Sequence, residues 1–198
     1  MIDRSRDSVL LRTILICVLL ATQCSVLCGC KEGSPATSAI VPTTASFLAD
    51  APPPGASDLA ALTAATIDGG RITLDVVLTA IDEPISGIAL NLSYPDAFSR
   101  FVSCSDGTLF TAGDCSSFEA GPGSGQVFIG RSASGAVQAV PVSGSQVIVR
   151  LDFLVFGEGE GAIVIENQNL SGGDASAVLD ANGDPVIVQW YAGMLRGT

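Results

Sequence analysis

The stretch RITLDVVLTAI, residues 71–81, puts Ile72, Leu74, Val76, Leu78 and Ala80 on one side of an extended chain and Thr73, Asp75, Val77 and Thr79 on the other. Successive side chains of a strand point to opposite faces, so this period of two predicts a half-buried β-strand. The pattern recurs downstream. Ile88, Leu90, Leu92 and Tyr94 alternate with Ala89, Asn91 and Ser93, and Val147, Val149, Leu151, Phe153 and Val155 alternate with Ile148, Arg150, Asp152 and Leu154. Further runs cover residues 126–132, 162–166 and 186–191, and turns rich in Gly and Asp divide them at 68–70, 157–161 and 171–174. Past the N-terminal segment, no stretch longer than about ten residues keeps a helical period. About nine short strands at this spacing predict an all-β fold, an antiparallel sandwich or jelly roll, over residues 59–198.

Upstream the chain reads differently. Arg4, Arg6 and Arg12 precede an uncharged run from Ile14 to Ala21. A basic start followed by a short apolar core is the pattern of a secretory signal peptide, and the run is too short to span a bilayer as a helix. Its distal end, Leu27-Cys28-Gly29-Cys30, resembles a bacterial lipobox, which assigns residues 1–29 to a lipoprotein signal peptide and Cys30 to lipidation. Several acyl chains anchor stably where one does not, so the membrane is expected as a partner only through this lipid. Lys31 after the Cys resembles an outer-membrane sorting signal. The expected location is therefore the bacterial cell envelope, lipid-anchored at the outer membrane or cell surface. Residues 30–58 are rich in Pro, Ser, Thr and Ala, with Pro52-Pro53-Pro54, and read as a tether with a reach of about 30 Å.

The whole chain of 198 residues carries 9 Lys and Arg against 20 Asp and Glu, a net charge of −11, with mean hydropathy +0.49. Loss of residues 1–29 removes three Arg and two Asp, leaving −12. No basic patch for nucleic-acid phosphates can be assembled from so few cations. Histidine is absent and Lys31 is the only lysine, which removes the commonest general base and a Schiff-base nucleophile. Serines are plentiful, but no base accompanies them. No catalytic residue is expected, and the chain is read as a non-enzyme. Once the signal has gone and Cys30 is acylated, Cys104 and Cys115 remain as a pair in an oxidising compartment, where a disulfide is expected.

The order of features from about Ala60 to Arg196 resembles a cohesin domain, the family that binds dockerin modules. The early strand from Ile72 to Ala80 carries the resemblance, with the strand that ends Leu92-Ser93-Tyr94-Pro95-Asp96. So do Leu151-Asp152-Phe153-Leu154-Val155 and the closing Gly-containing strand after Val186. The second piece is similar to the family's hydrophobic-x-Tyr-Asp-Pro turn with Pro and Asp reversed. The resemblance implies a nine-stranded antiparallel β-sandwich with jelly-roll topology and one open sheet face, including the third-strand region, that receives a dockerin-type protein module. Mapped here, the solvent side of Ala89, Asn91 and Ser93 would contribute to it.

Two competing readings of function stay open. Related sandwiches bind polysaccharide through aromatic platforms, and Trp190, beside Tyr191, is the candidate for stacking, although a core role suits one of that adjacent pair. A structural envelope lipoprotein with no dedicated ligand is the other. Asp180, Asn182 and Asp184 place oxygen ligands at alternate positions as calcium loops do, but the downstream bidentate Glu is missing and the residues are those of a tight turn. No cofactor is expected, calcium being the one candidate. Glu158 and Glu160 sit among glycines in a hairpin, where nothing would desolvate them as a catalytic carboxylate pair requires.

Overall fold

The computed structural model describes residues 43–110, 115–121, 123–134, 139–172 and 174–198. The signal peptide and Cys30 lie outside the described residues. In chain order the strands are β1 (Ala45–Ala49), β2 (Leu59–Asp68), β3 (Arg71–Ser93), β4 (Ser99–Asp106), β5 (Ser116–Glu119) and β6 (Gln126–Ser132). They continue as β7 (Val140–Val155), β8 (Gly159–Ile165), β9 (Ala177–Asp180), β10 (Pro185–Val186), β11 (Gln189–Tyr191) and β12 (Gly193–Gly197). No helix occurs among the described residues. The all-β expectation holds, with twelve strands described rather than nine.

The difference in count comes from β3 and from short edge strands. The alternation that starts at Ile72 and the one that starts at Ile88 belong to one strand of 23 residues. Its first half pairs with β2 and β7, and its second half with β6 on one side and β9 and β8 on the other. β3 therefore serves both layers of the sandwich. The change of partners falls where Ala80 takes a positive φ of 50° and the register with β7 slips on either side of Ile81. Asp82, Glu83 and Pro84 are exposed at this corner. One layer then runs β11-β2-β3-β7-β4, and the other β1-β12-β8-β3-β6-β5 with the β9–β10 ribbon beside β3. All pairings of named strands are antiparallel except β11 with β2, which is parallel.

The core is a single cluster. Ile72, Leu74, Val76 and Leu78 from the first half of β3 join Ile88, Leu90 and Leu92 from its second half. Phe153 is fully buried between Tyr94 and Phe101, each meeting it edge-on at 5.6 Å, the favoured geometry for aromatic quadrupoles. One detail of the alternation shifts. A bulge between Val76 and Val77 leaves Ile148 as the extra residue of β7, so Ile148 is buried and Val147 only half-buried.

The expected tether is corrected over its second half. Ala45 to Ala49 pair residue by residue with Gly197 to Gly193, and Ala45 is buried in the core. The close approach rests on the glycines of β12 rather than on β1. An added Cβ on Gly193 or Gly197 would run into the backbone carbonyl of Leu48 or Gly157.

Candidate functional site

The outward residues of the second half of β3 are Ala89, Asn91 and Ser93, and they fare differently. Asn91 is 2% exposed. Its N–H donates to Ser176 Oγ at 2.9 Å, its Nδ2 donates to the Asp174 carbonyl at 2.7 Å, and its Oδ1 accepts from Gln126 Nε2 at 2.9 Å. The solvent-facing reading of Asn91 is therefore corrected. The segment after β8 folds over this position, and burying a primary amide requires the partners it finds there. Ser93 is half-buried, its hydroxyl donating to Glu166 Oε1 at 2.9 Å. Ala89 is half-buried between Gly130 of β6 and Ala177 of β9.

Next to Ala89 lies the open part of the face. Phe128 of β6 stands opposite Phe118 of β5, and Ser116 opposite Gly130. Phe118 is 69% exposed, and with Phe128, Ala89, Gly130 and Ala175 it lines a shallow cavity of 260 Å³. A large exposed aromatic beside a floor of small side chains is the surface an interface anchor needs, because small residues admit the partner's backbone closely. Sequence reasoning did not single out Phe118 or Phe128. Phe128 was legible as the outward residue between Val127 and Ile129. Phe118 sits on a four-residue strand whose side chains are all exposed, which leaves no alternation to read.

The other sequence candidates are placed as follows. Cys104 and Cys115 form the expected disulfide, with Cα atoms 5.9 Å apart. Trp190 is half-buried and packs against the core cluster, and its indole N–H donates to Asn169 Oδ1 at 3.0 Å. In the loop 180–184, Asp180 Oδ1 accepts the N–H of Asn182 at 2.8 Å and of Asp184 at 2.9 Å, and its Oδ2 accepts Asn182 Nδ2 at 3.2 Å. These bonds, led by the one from Asp184, hold the Asp180 carboxyl below its ordinary value. Both oxygens serve the turn itself. Glu160 pairs with Arg196 at 2.7 Å, and Glu158 is exposed. The turn that resembles the family motif is structural. Tyr94 N–H bonds to the Gly125 carbonyl, Ser99 caps the Pro95 carbonyl, and Pro95 lies against Gly161. Burial first, and the neighbouring Glu119 second, push the Tyr94 phenol above its ordinary value.

No family model and no curated protein matches the chain. Solved structures do. The solution structure of CaCohA2 from Clostridium acetobutylicum superposes with a TM-score of 0.51 at 17% identity, covering 69% of this chain and 88% of that one. The sixth cohesin of scaffoldin B from Acetivibrio cellulolyticus, in complex with a Cel5 dockerin, gives 0.51 at 16% identity over 69% of this chain and 96% of that one. CaCohA2 in complex with CaDoc0917 gives 0.50 at 16% identity, over 63% and 86%. The fold is thus a cohesin-like β-sandwich.

Proposed function

We propose that this chain is a lipid-anchored envelope protein whose cohesin-like domain binds a protein partner, a dockerin-type module, on the sheet face of β5, β6 and the second half of β3. The observation that carries this reading is the pair Phe118 and Phe128 beside the small residues Ala89, Gly130 and Ala175. The arrangement supplies an apolar centre, with Ser93, Ser116 and Gln126 as a polar rim. It is supported by the similar cohesins that were solved with dockerins bound. The missing histidine and the structural use of Asp180 and Glu160 favour binding over catalysis. Trp190, held by Asn169 and packed on the core, gives the polysaccharide reading little platform.

The test is a titration of dockerin-type modules from the same organism into the purified chain. Binding that is lost on Phe118→Asp supports the proposal, whereas retention on insoluble polysaccharide that is lost on Trp190→Ala would replace it. Anchoring is tested separately. Cys30→Ala should move the protein from the membrane fraction to the soluble fraction, and a variant still recovered with membranes rejects the lipid assignment.

A further inference from the structure

The outward face of the other layer is laid out in rows across β3, β7 and β4. Asp75, Arg150 and Ser105 form one row, Thr73, Asp152 and Ser103 the next, and Arg71, Leu154 and Arg100 the third. The first two rows are internally complemented. Arg150 Nε lies 3.2 Å from Asp75 Oδ1, and the Asp152 carboxylate accepts the hydroxyls of Thr73 at 2.6 Å and Ser103 at 3.2 Å. The third row holds two guanidiniums about 10 Å apart at the backbone, two strand spacings, with leucine where a carboxylate would complement them. Arg131, Arg150 and Arg196 are paired with Asp106, Asp75 and Glu160, whereas Arg71 and Arg100 have no ion pair among the described residues. In a chain of net −11, the two uncompensated cations of the described domain thus stand on either side of one residue.

Their surroundings are apolar. Val102 and Phe156 are 40% and 47% exposed, and with Leu154 and the two arginines they line a 630 Å³ cavity. Asp96 and Glu119 line it too, but Glu119 accepts the Tyr94 hydroxyl at 3.3 Å, and neither acid pairs with either arginine. Among the described residues β4 pairs with β7 alone, so the described edge of this layer lies beside Arg100. An unpaired strand edge accepts an extended segment, while pockets along it select alternate side chains.

We propose that this edge docks an acidic, apolar, extended peptide segment of a protein partner. Its carboxylates would meet Arg71 and Arg100, and its aliphatic side chains Leu154, Val102 and Phe156. Guanidinium recognises carboxylate through two parallel hydrogen bonds, which gives the site its charge selectivity. The two acids in the same cavity disfavour a densely charged polyanion and leave room for a segment with few carboxylates. The cavity borders β5 through Glu119, but neither Phe118 nor Phe128 lines it, so the proposal stands apart from the dockerin reading.

The test is fluorescence anisotropy of the full-length chain with a labelled peptide of alternating glutamate and leucine, and with its glutamine counterpart. The glutamate peptide should bind saturably, more weakly as salt rises, and at least about tenfold more weakly to the Arg71→Gln/Arg100→Gln variant. The melting temperature should stay unchanged in that variant, and Phe118→Asp should bind the peptide like the parent chain. Equal binding of the glutamine peptide, equal binding by the double variant, or no binding at all would overturn the proposal. So would arginine-dependent binding confined to polygalacturonate.

Discussion

Asn91 illustrates how one residue can be right in pattern and different in role. The period of two placed its side chain on the outward face of β3, and it is there, but the segment after β8 covers it. Nothing in local alternation reports a cover supplied from 85 residues away. The consequence is structural. Asn91→Ala would remove two part-buried hydrogen bonds, one to the Asp174 carbonyl, which keeps Asn167 Nδ2 as a donor, and one from Gln126, and should cost about 2 kcal/mol of stability. Urea unfolding measures this, and a variant as stable as the parent chain would contradict the assignment. Asp180 carries the opposite lesson, because a tight-turn reading was available from its neighbours alone. Its folded carboxyl lies below the ordinary value, so the stability it adds is present above the unfolded pKa of about 3.9 and is lost as pH falls through the lower folded value. Asp180→Asn should therefore flatten the acid limb of stability against pH, and an unchanged limb would argue against these bonds.

At the scale of elements, long strands with one buried face were legible and short edge strands were not. The Ile72 to Leu78 and Ile88 to Leu92 faces are buried as the alternation requires. Their fusion into one strand was hidden by Asp82-Glu83-Pro84, which look like a turn and are instead an exposed corner between two layers. β1 and β5 contain few residues that face a core, so β1 fell inside the expected tether and β5 inside no expected strand. The disulfide was deducible from compartment and count, because only two cysteines remained to pair. It ties β4 to the entrance of β5, across a separation of 11 residues that contains the buried Leu109 and Phe110. Replacing Cys104 with Ser should lower stability by about 3 kcal/mol in the chain-entropy account. The check is denaturant unfolding of the variant against the oxidised parent, and coincident midpoints would show that the loop holds itself closed.

For the whole molecule, the sequence was sufficient for an all-β sandwich with cohesin-like order, because hydrophobic alternation and turn spacing are properties of the chain itself. The proposed docking surface was only partly legible. Which outward positions stay open depends on long-range packing at Asn91 and on an edge strand at Phe118. The net charge of −11 is carried largely by exposed turns and strand faces. Net charge of this size keeps copies of a domain apart in solution. The central claim is that the β5–β6–β3 face is a docking surface for a protein module. Isothermal titration of dockerin-type modules from the same organism into the chain and its Phe118→Asp variant tests it most directly. The account expects one-to-one binding by the parent chain that the variant loses while keeping its melting temperature. Failure of every such module to bind, or binding that survives Phe118→Asp undiminished, would contradict it.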